Sequence, residues 1–331
     1  MRTTHMFRGF ALGLTVFTMT ALPAGAQEPA ASYPSRAVEF VVPFAAGGSA
    51  DVIARLVGVV VSEAWKQPVV IQNRAGATGQ IASEYVLRAA PDGYTILMAT
   101  ASTHTVLPAF KPSLPYDTIT GFAPVTMLAT YPNMLVVNPQ KVPVRSVAEL
   151  IDFLKRNPGK LNYASTGQGG SPHFTAELFK LMTGTQMTHV PYRGGGPALT
   201  DLVAGNVDLA FDNMSTVWPM AQEGKIRALA VATLQRTPLA PDLPTIAETV
   251  PGFESATFVA VLAPAATPTP LVQKIGQAFG AAVQRPDIVK KLADLGASAS
   301  ASTPAELAQF MRTDLERWRR VAREAKLTAS N

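Results

Sequence analysis

The chain has no cysteine and little of what most chemistry relies on, with four histidines in 331 residues and a charged fraction of 15%. Without thiols there is no disulfide framework and no thiolate metal site, so stability has to come from a packed core. Beyond the N-terminal segment the histidines are His104, His173 and His189. They stand at no metal-ligand spacing, and neither a metal nor another cofactor is expected. No stretch after residue 26 reaches the ~18 uninterrupted apolar residues that would mark a spanning helix. There is no G-x-x-x-x-G-K-[ST] phosphate loop and no G-x-S-x-G elbow. The run Gly167-Gln168-Gly169-Gly170 misses the dinucleotide pattern because Pro172 takes the place of the third glycine. The charge imbalance is small, with 28 basic against 23 acidic side chains. Arg317, Arg319, Arg320 and Arg323 read as a solvated helix face, and no nucleic-acid partner is expected.

What is present starts with an export signal over residues 1–26. Arg2 and Arg8 form its positive end, residues 10–22 its apolar run, and Ala24-Gly25-Ala26 a small-residue cleavage site. The remaining chain is long enough for two domains with separate cores. Strand and helix patterns alternate from residue 38 to 99, with a strand over 38–44, a helix over 51–66 and short strands over 69–72 and 94–99. A loose, proline-rich segment follows over 107–124. The alternation then resumes between 134 and 232, and three helices, each introduced by proline, end the chain. Short apolar strands separated by helix-period segments predict an α/β fold of two doubly wound halves. The extended apolar segments 122–137 and 256–264 read as two strands crossing between the halves. That predicts one domain from 33–129 plus 254–331, a second from 130–253, and a ligand cleft between them.

Five loops would face that cleft: 44–51, 100–104, 165–173, 192–196 and 212–215. The first is the most informative. VEFVVPFAAGGSAD runs from a buried strand through Gly47 and Gly48 into a helix, so backbone N–H groups and the positive helix end address one point. The loops are rich in Gly, Ser and Thr, and Arg193 is their one cation. Uncharged donors at helix starts suit one or two carboxylates better than a polyphosphate. Plainer roles stay open. Gly47 and Gly48 could serve a tight turn, while Ser49, Asp51, Ser165, Thr166 and Ser171 could be helix caps. His173 is either a ligand contact or a surface histidine, and His189 reads as structural. Ser171, His173 and Asp212 supply the residue types of a hydrolytic triad, without its nucleophile elbow.

The segments YPSRAVEFVVPFAAGGSADVIAR, LNYASTGQGGSPHFTAELFK and PYRGGGPALTDLVAGNVDLAFDN, with VVIQNRAGATGQIASEYVLRAAPDGYTILMAT, MLVVNP and GKIRALAVAT, run in order through nearly the whole exported chain. On these motifs it resembles the Bug/TctC extracytoplasmic solute receptors. The resemblance implies a two-domain, type II-like periplasmic binding protein fold that closes on a small carboxylated solute and serves membrane subunits of a tripartite tricarboxylate transporter. It implies no enzymatic activity. One ligand carboxylate would be held by main-chain amides and water at Phe44, Ala45, Ala46, Gly47, Gly48, Ser49 and Asp51. Thr100, Ser102 and Thr103 would line the same domain's side. Ser165, Thr166, Gly167, Ser171, His173, Gly195 and Asp212 would close from the other. Ala45 and Ala46 depart from the proline common in this family, and Gly170 stands where a hydroxyl is usual. A solute sensor feeding a signalling partner and a periplasmic hydrolase stay open as alternatives. A monomer is expected.

Overall fold

The computed structural model describes residues 32–111 and 113–324, with Met1 and Thr3 besides; the rest of the export-signal segment lies outside the described residues. In β1 (Val38–Val42), Val38, Phe40 and Val42 bury on one face and Val41 on the other, the alternation a two-sided strand imposes. The chain turns through a glycine loop into α1 (Ser49–Trp65), whose Ile53, Ala54, Val57 and Val61 recur at helical spacing and pack beneath Phe40. β2 (Val69–Asn73), α2 (Gln80–Leu87) and β3 (Thr95–Thr100) follow, and β2 and β3 flank β1 in parallel. After β3 comes a π-helical turn, Ser102–Val106, and the short helix α3 (Leu107–Phe110), where a loose segment was expected from Leu107. Burial of Leu107 and Phe110 organises this turn, which is too short to show periodicity.

β4 (Phe122–Val137) is 16 residues long and belongs to two sheets. Its first part pairs antiparallel with β9 (Ala256–Pro264), completing the first sheet in the order β2-β1-β3-β9-β4. Its last part, from Asn133 on, starts the second sheet. Between these two strands lie α4 (Val147–Arg156), β5 (Asn162–Ser165), α5 (Ser171–Thr183), β6 (Thr188–Pro191), α6 (Gly195–Ala204), β7 (Leu209–Asn213), α7 (Met214–Gln222) and β8 (Arg227–Val231). There β7 and β8 pair antiparallel with opposite edges of β4, and β7, β5 and β6 are parallel. The chain re-enters the first sheet at Ala256, just after Ser255, whose amide donates to Ala232 O at 2.6 Å. It ends in α8 (Thr269–Val283), α9 (Pro286–Asp294), the two-residue β10 (Ser298–Ala299) against β4, and α10 (Pro304–Glu324).

Each sheet is covered on both faces, and the apolar side chains form four clusters to match. Phe40, Ile53 and Phe279 lie on one side of the first sheet, and Val41, Phe258 and Trp318 on the other. Leu135, Phe179 and Phe211 lie on one side of the second sheet, and Met134, Leu202 and Val217 on the other. Two lobes thus share one strand, and the C-terminal ends of the parallel strands β1, β3 and β5 point their loops at the gap between the lobes.

Candidate functional site

Four helices begin at that gap: α1, α5, α6 and α7. Their N-cap residues are Gly48, Gly170, Gly194 and Asn213, and none places a side-chain cap on its helix. Of the other helices, α2, α3, α8 and α9 likewise lack a side-chain cap, whereas α4 and α10 carry one. Ser146 Oγ accepts from Glu149 N at α4, and Thr303 Oγ1 accepts from Glu306 N at α10. Uncapped starts leave N–H groups free to donate and concentrate positive potential there.

The loop before α1 is braced from behind. Gly47 adopts φ +83°, a left-handed conformation that glycine takes without penalty, and its amide donates to Asp51 Oδ2 at 3.0 Å. Asn73 Nδ2 donates to Asp51 Oδ1 at 2.9 Å and to Phe44 O at 3.0 Å, and Arg55 pairs with the same carboxylate at 2.8 Å. Burial opposes ionisation of Asp51, but these donors, Arg55 foremost, outweigh it and hold its pKa below the usual value. Asp51 is therefore committed to shaping the turn.

The lobes meet directly. Ala45 N donates to Arg193 O at 3.0 Å, Ser49 N to Thr216 Oγ1 at 3.1 Å, Asn213 Nδ2 to Ser49 Oγ at 2.9 Å and Ser171 N to Ser102 Oγ at 2.9 Å. Phe110 stacks on Phe174 with ring centres 3.4 Å apart. A Cβ at Gly48 would stand 3.3 Å from Gly195 N, and one at Gly196 would collide with the carbonyl oxygen of Ala46. Gly48 and Gly196 have negative φ, so close approach across the gap, not turn geometry, explains them.

Enclosed by these contacts is an inner cavity of about 20 Å³, lined by Phe44, Gly48, Ser49, Ala50, Thr100, Ser102, Tyr131, Thr166, Gly195, Asn213 and Thr257. Its walls carry hydroxyls, one side-chain amide and helix N-termini, and no charged side chain. Burial pushes the Tyr131 phenol far above its usual value, so it stays a donor. Nearby, Asn213 Oδ1 and Ser215 Oγ are buried without a hydrogen-bond partner among the described residues. Asp212 is wholly buried beneath Gly195, and burial pushes its pKa up to about 7 against the Asn213 amide that favours the anion. At neutral pH it is partly a neutral acid.

Of the residues singled out from the sequence, Phe44, Gly48, Ser49, Thr100, Ser102, Thr166 and Gly195 line the cavity. Ala46, Gly47, Asp51, Thr103, Ser165, Ser171, His173 and Asp212 stand around it. Thr103 Oγ1 braces the loop after β3 through Thr100 N, and His104 lies buried behind it. Ser165 Oγ accepts from Gly167 N and lies 2.6 Å from His189 Nε2. Gly169 N donates to His173 Nδ1 at 3.0 Å, and the two imidazoles stack at 4.0 Å. Burial holds His173 at about 4 and His189 at about 3, so both are neutral and the pair buttresses the loop before α5. The hydroxyl of Ser171 lies 2.9 Å from Asn133 Nδ2, and no hydrogen bond joins it to His173 or Asp212 among the described residues, so no triad forms. Gly167 lines a second, outer chamber.

Ala50 and Asn213 also line the cavity and fall within the expected loops 44–51 and 212–215, whereas Tyr131 and Thr257 lie outside all five. Tyr131 and Thr257 face each other across the β4–β9 ladder. The signal was available, because strands that cross between lobes form the floor of the gap and polar residues within them point into it.

Known proteins match this chain in sequence and in fold. Residues 53–327 match the model of the tripartite tricarboxylate transporter family receptor, TctC. Protein BugT of Bordetella pertussis is 35% identical over 315 residues, covering 94% of this chain and 96% of BugT. An R. palustris protein solved with adipate is 39% identical with a TM-score of 0.86, covering 89% of this chain and 99% of that one. MatC of Rhodopseudomonas palustris, solved with bound malate, is 34% identical with a TM-score of 0.83, covering 87% and 99%. A match over most of the chain, in sequence and in fold alike, makes this protein a member of the tripartite tricarboxylate transporter family of receptors.

Proposed function

We propose that this chain is a periplasmic, non-enzymatic receptor that closes two lobes around the carboxylate of a small solute and presents it to the membrane subunits of a tripartite-type transporter. The observation that carries the reading is the uncharged cavity lined by the uncapped starts of α1, α6 and α7. Backbone N–H groups and hydroxyls there replace the water shell of an anionic oxygen, and the enclosed setting strengthens each bond. Relatives of the same fold solved with adipate and malate support a carboxylated ligand. Residues 33–129 with 254–331 would move against 130–253. Contacts that need both lobes exist only in the shut form, so solute binding shifts the equilibrium toward closure. The N-terminal 26 residues would direct export and be removed, and the receptor would act as a monomer.

A thermal-shift screen against small carboxylates tests this. A true ligand at 100 times its Kd adds about 2.7 kcal/mol of apparent stability. Gly48→Val should abolish that shift while leaving the unliganded melting point within a few degrees. A variant that binds as tightly as the parent would overturn the assignment of the cleft.

A further inference from the structure

The arginines of the last helix take no part in the cleft, and the structure separates them by role. Arg317 pairs with Asp314 at 2.8 Å and reaches Glu254, just before the chain returns to the first sheet, at 3.5 Å. Arg319 instead lines a groove of about 1030 Å³ on the flank of the first lobe, together with Arg312 and Arg323. The groove lies between α10 and a wall made of α3 and the loop 114–120. At this spacing the three arginines fall on one face of α10, and the outer two stand about 16 Å apart along its axis. Phe110, Ile119 and Leu315 supply an apolar floor. Two acidic side chains also line the groove, and both are engaged. Asp117 accepts from Ile119 N at 2.7 Å and from Thr120 N at 2.8 Å, and Glu316 pairs with Arg319 at 2.6 Å. Arg312 and Arg323 are exposed and have no ion pair or hydrogen bond among the described residues. Apolar surface is thus framed by two uncompensated cations.

The groove shares no lining residue with the inner cavity or the outer chamber, yet it is built on elements that meet across the gap. Phe110 stacks on Phe174 of the other lobe, with ring centres 3.4 Å apart, and its ring lies 6.1 Å from that of Trp318 on α10. Thr105 Oγ1, in the turn after β3, donates to Asp314 Oδ2 at 2.6 Å. One wall of the groove therefore touches the second lobe, and the helix forming the opposite wall is bonded to a turn beside the cleft. Opening the lobes withdraws Phe174 from Phe110 and leaves α3 without that support. A partner seated in the groove then binds the shut receptor in preference to the open one.

We propose that this groove docks an amphipathic helix of the transporter's membrane subunits, with apolar side chains entering the floor and carboxylates meeting Arg312 and Arg323. The proposal rests on the receptor reading above and adds to it the face that is recognised. A span of about 16 Å takes three turns of such a helix. The concave shape and the apolar floor favour a protein segment over a flat lipid surface. Exposed cations at the rim select and steer the partner, while the floor supplies the contact area.

Proteoliposomes carrying the tripartite-type membrane subunits of the same organism test it, with calorimetry following solute affinity in the same receptor preparations. The parent should bind the proteoliposomes more tightly with solute than without, and added salt should weaken that binding. Arg312→Glu combined with Arg323→Glu should lower it at least about tenfold while leaving solute affinity and melting point unchanged, and lysine at both positions should restore most of it. A charge-reversed receptor that binds the subunits as tightly as the parent overturns the groove. An equal loss of solute affinity also overturns it, because the arginines would then serve closure. So does equal binding to phosphatidylglycerol vesicles free of subunits, which would make the target a lipid surface. A parent that binds solute but not the subunits overturns the docking proposal and the transport reading together, and leaves the cleft standing.

Discussion

Among the described residues Asp212 has no cation beside it, and its carboxyl lies under the start of α6. Burial raises its pKa from 3.8 to about 7. Between those values the folded protein holds a proton that the unfolded chain has released, so stability falls as pH rises through the window, by up to about 1.4 kcal/mol per pH unit. The same proton keeps negative charge away from an arriving carboxylate. Asp212→Asn should remove this contribution. Melting points of the variant should lose the decline that Asp212 imposes between pH 4 and 7, and carboxylate affinity should no longer weaken as pH passes 7. A variant whose pH profiles for both quantities match the parent would show that Asp212 does not titrate in this range. Among the described residues, His173 and His189 act in the opposite sense. Their depressed values make stability fall as pH drops from 6.5 to about 4 for His173 and to about 3 for His189, so the variant should show the acid decline more plainly.

At the scale of elements, the starts of α1 and α6 approach each other backbone to backbone. Gly196 stands where any side-chain atom would meet the carbonyl of Ala46, a backbone group that cannot swing aside. Gly196→Ala should leave each lobe folded, since its φ is within reach of alanine, but hold the lobes apart. Solute affinity should fall by about 100-fold, in proportion to the lost closed population, while the unliganded melting point changes little. Unchanged affinity would mean that closure does not require this contact. The loop 192–196 was expected at the cleft but its partner was not legible, because Ala46 and Gly196 are brought together by the fold alone. β4 and β9 were legible in full, since long apolar segments leave few other readings. Tyr131 and Thr257 escaped notice inside those same segments, where an aromatic or a threonine looks like core. The two short turns after β3 were hidden for another reason. Four or five residues carry no period, and burial against α5 and α10 determines their conformation.

At the scale of the molecule, closure depends on β4, which runs unbroken through both sheets while its partners change from β9 and β10 to β7 and β8. Register shifts against β9 between Pro124 and Thr126 and between Met127 and Ala129, and against β8 between Leu135 and Val136, show where this strand departs from a regular ladder. Bulged strands bend, so hinge motion should be taken up between Met127 and Val136, where β4 passes from the first sheet to the second. Small-angle scattering should show the radius of gyration decreasing when a solute found by thermal shift is added. Gly196→Ala should keep the larger value with the solute present. Equal radii for parent and variant under saturation would argue against a moving hinge.

One consequence of the topology concerns how such a molecule can be rebuilt. Pro132 and Ala256, where the chain leaves the first sheet and where it returns, are neighbours across the ladder. The intervening segment is therefore a cassette with adjoining ends. It can be exchanged for its counterpart from a relative by two splices at a single place, giving hybrid receptors in which half of the recognition surface is inherited from each parent.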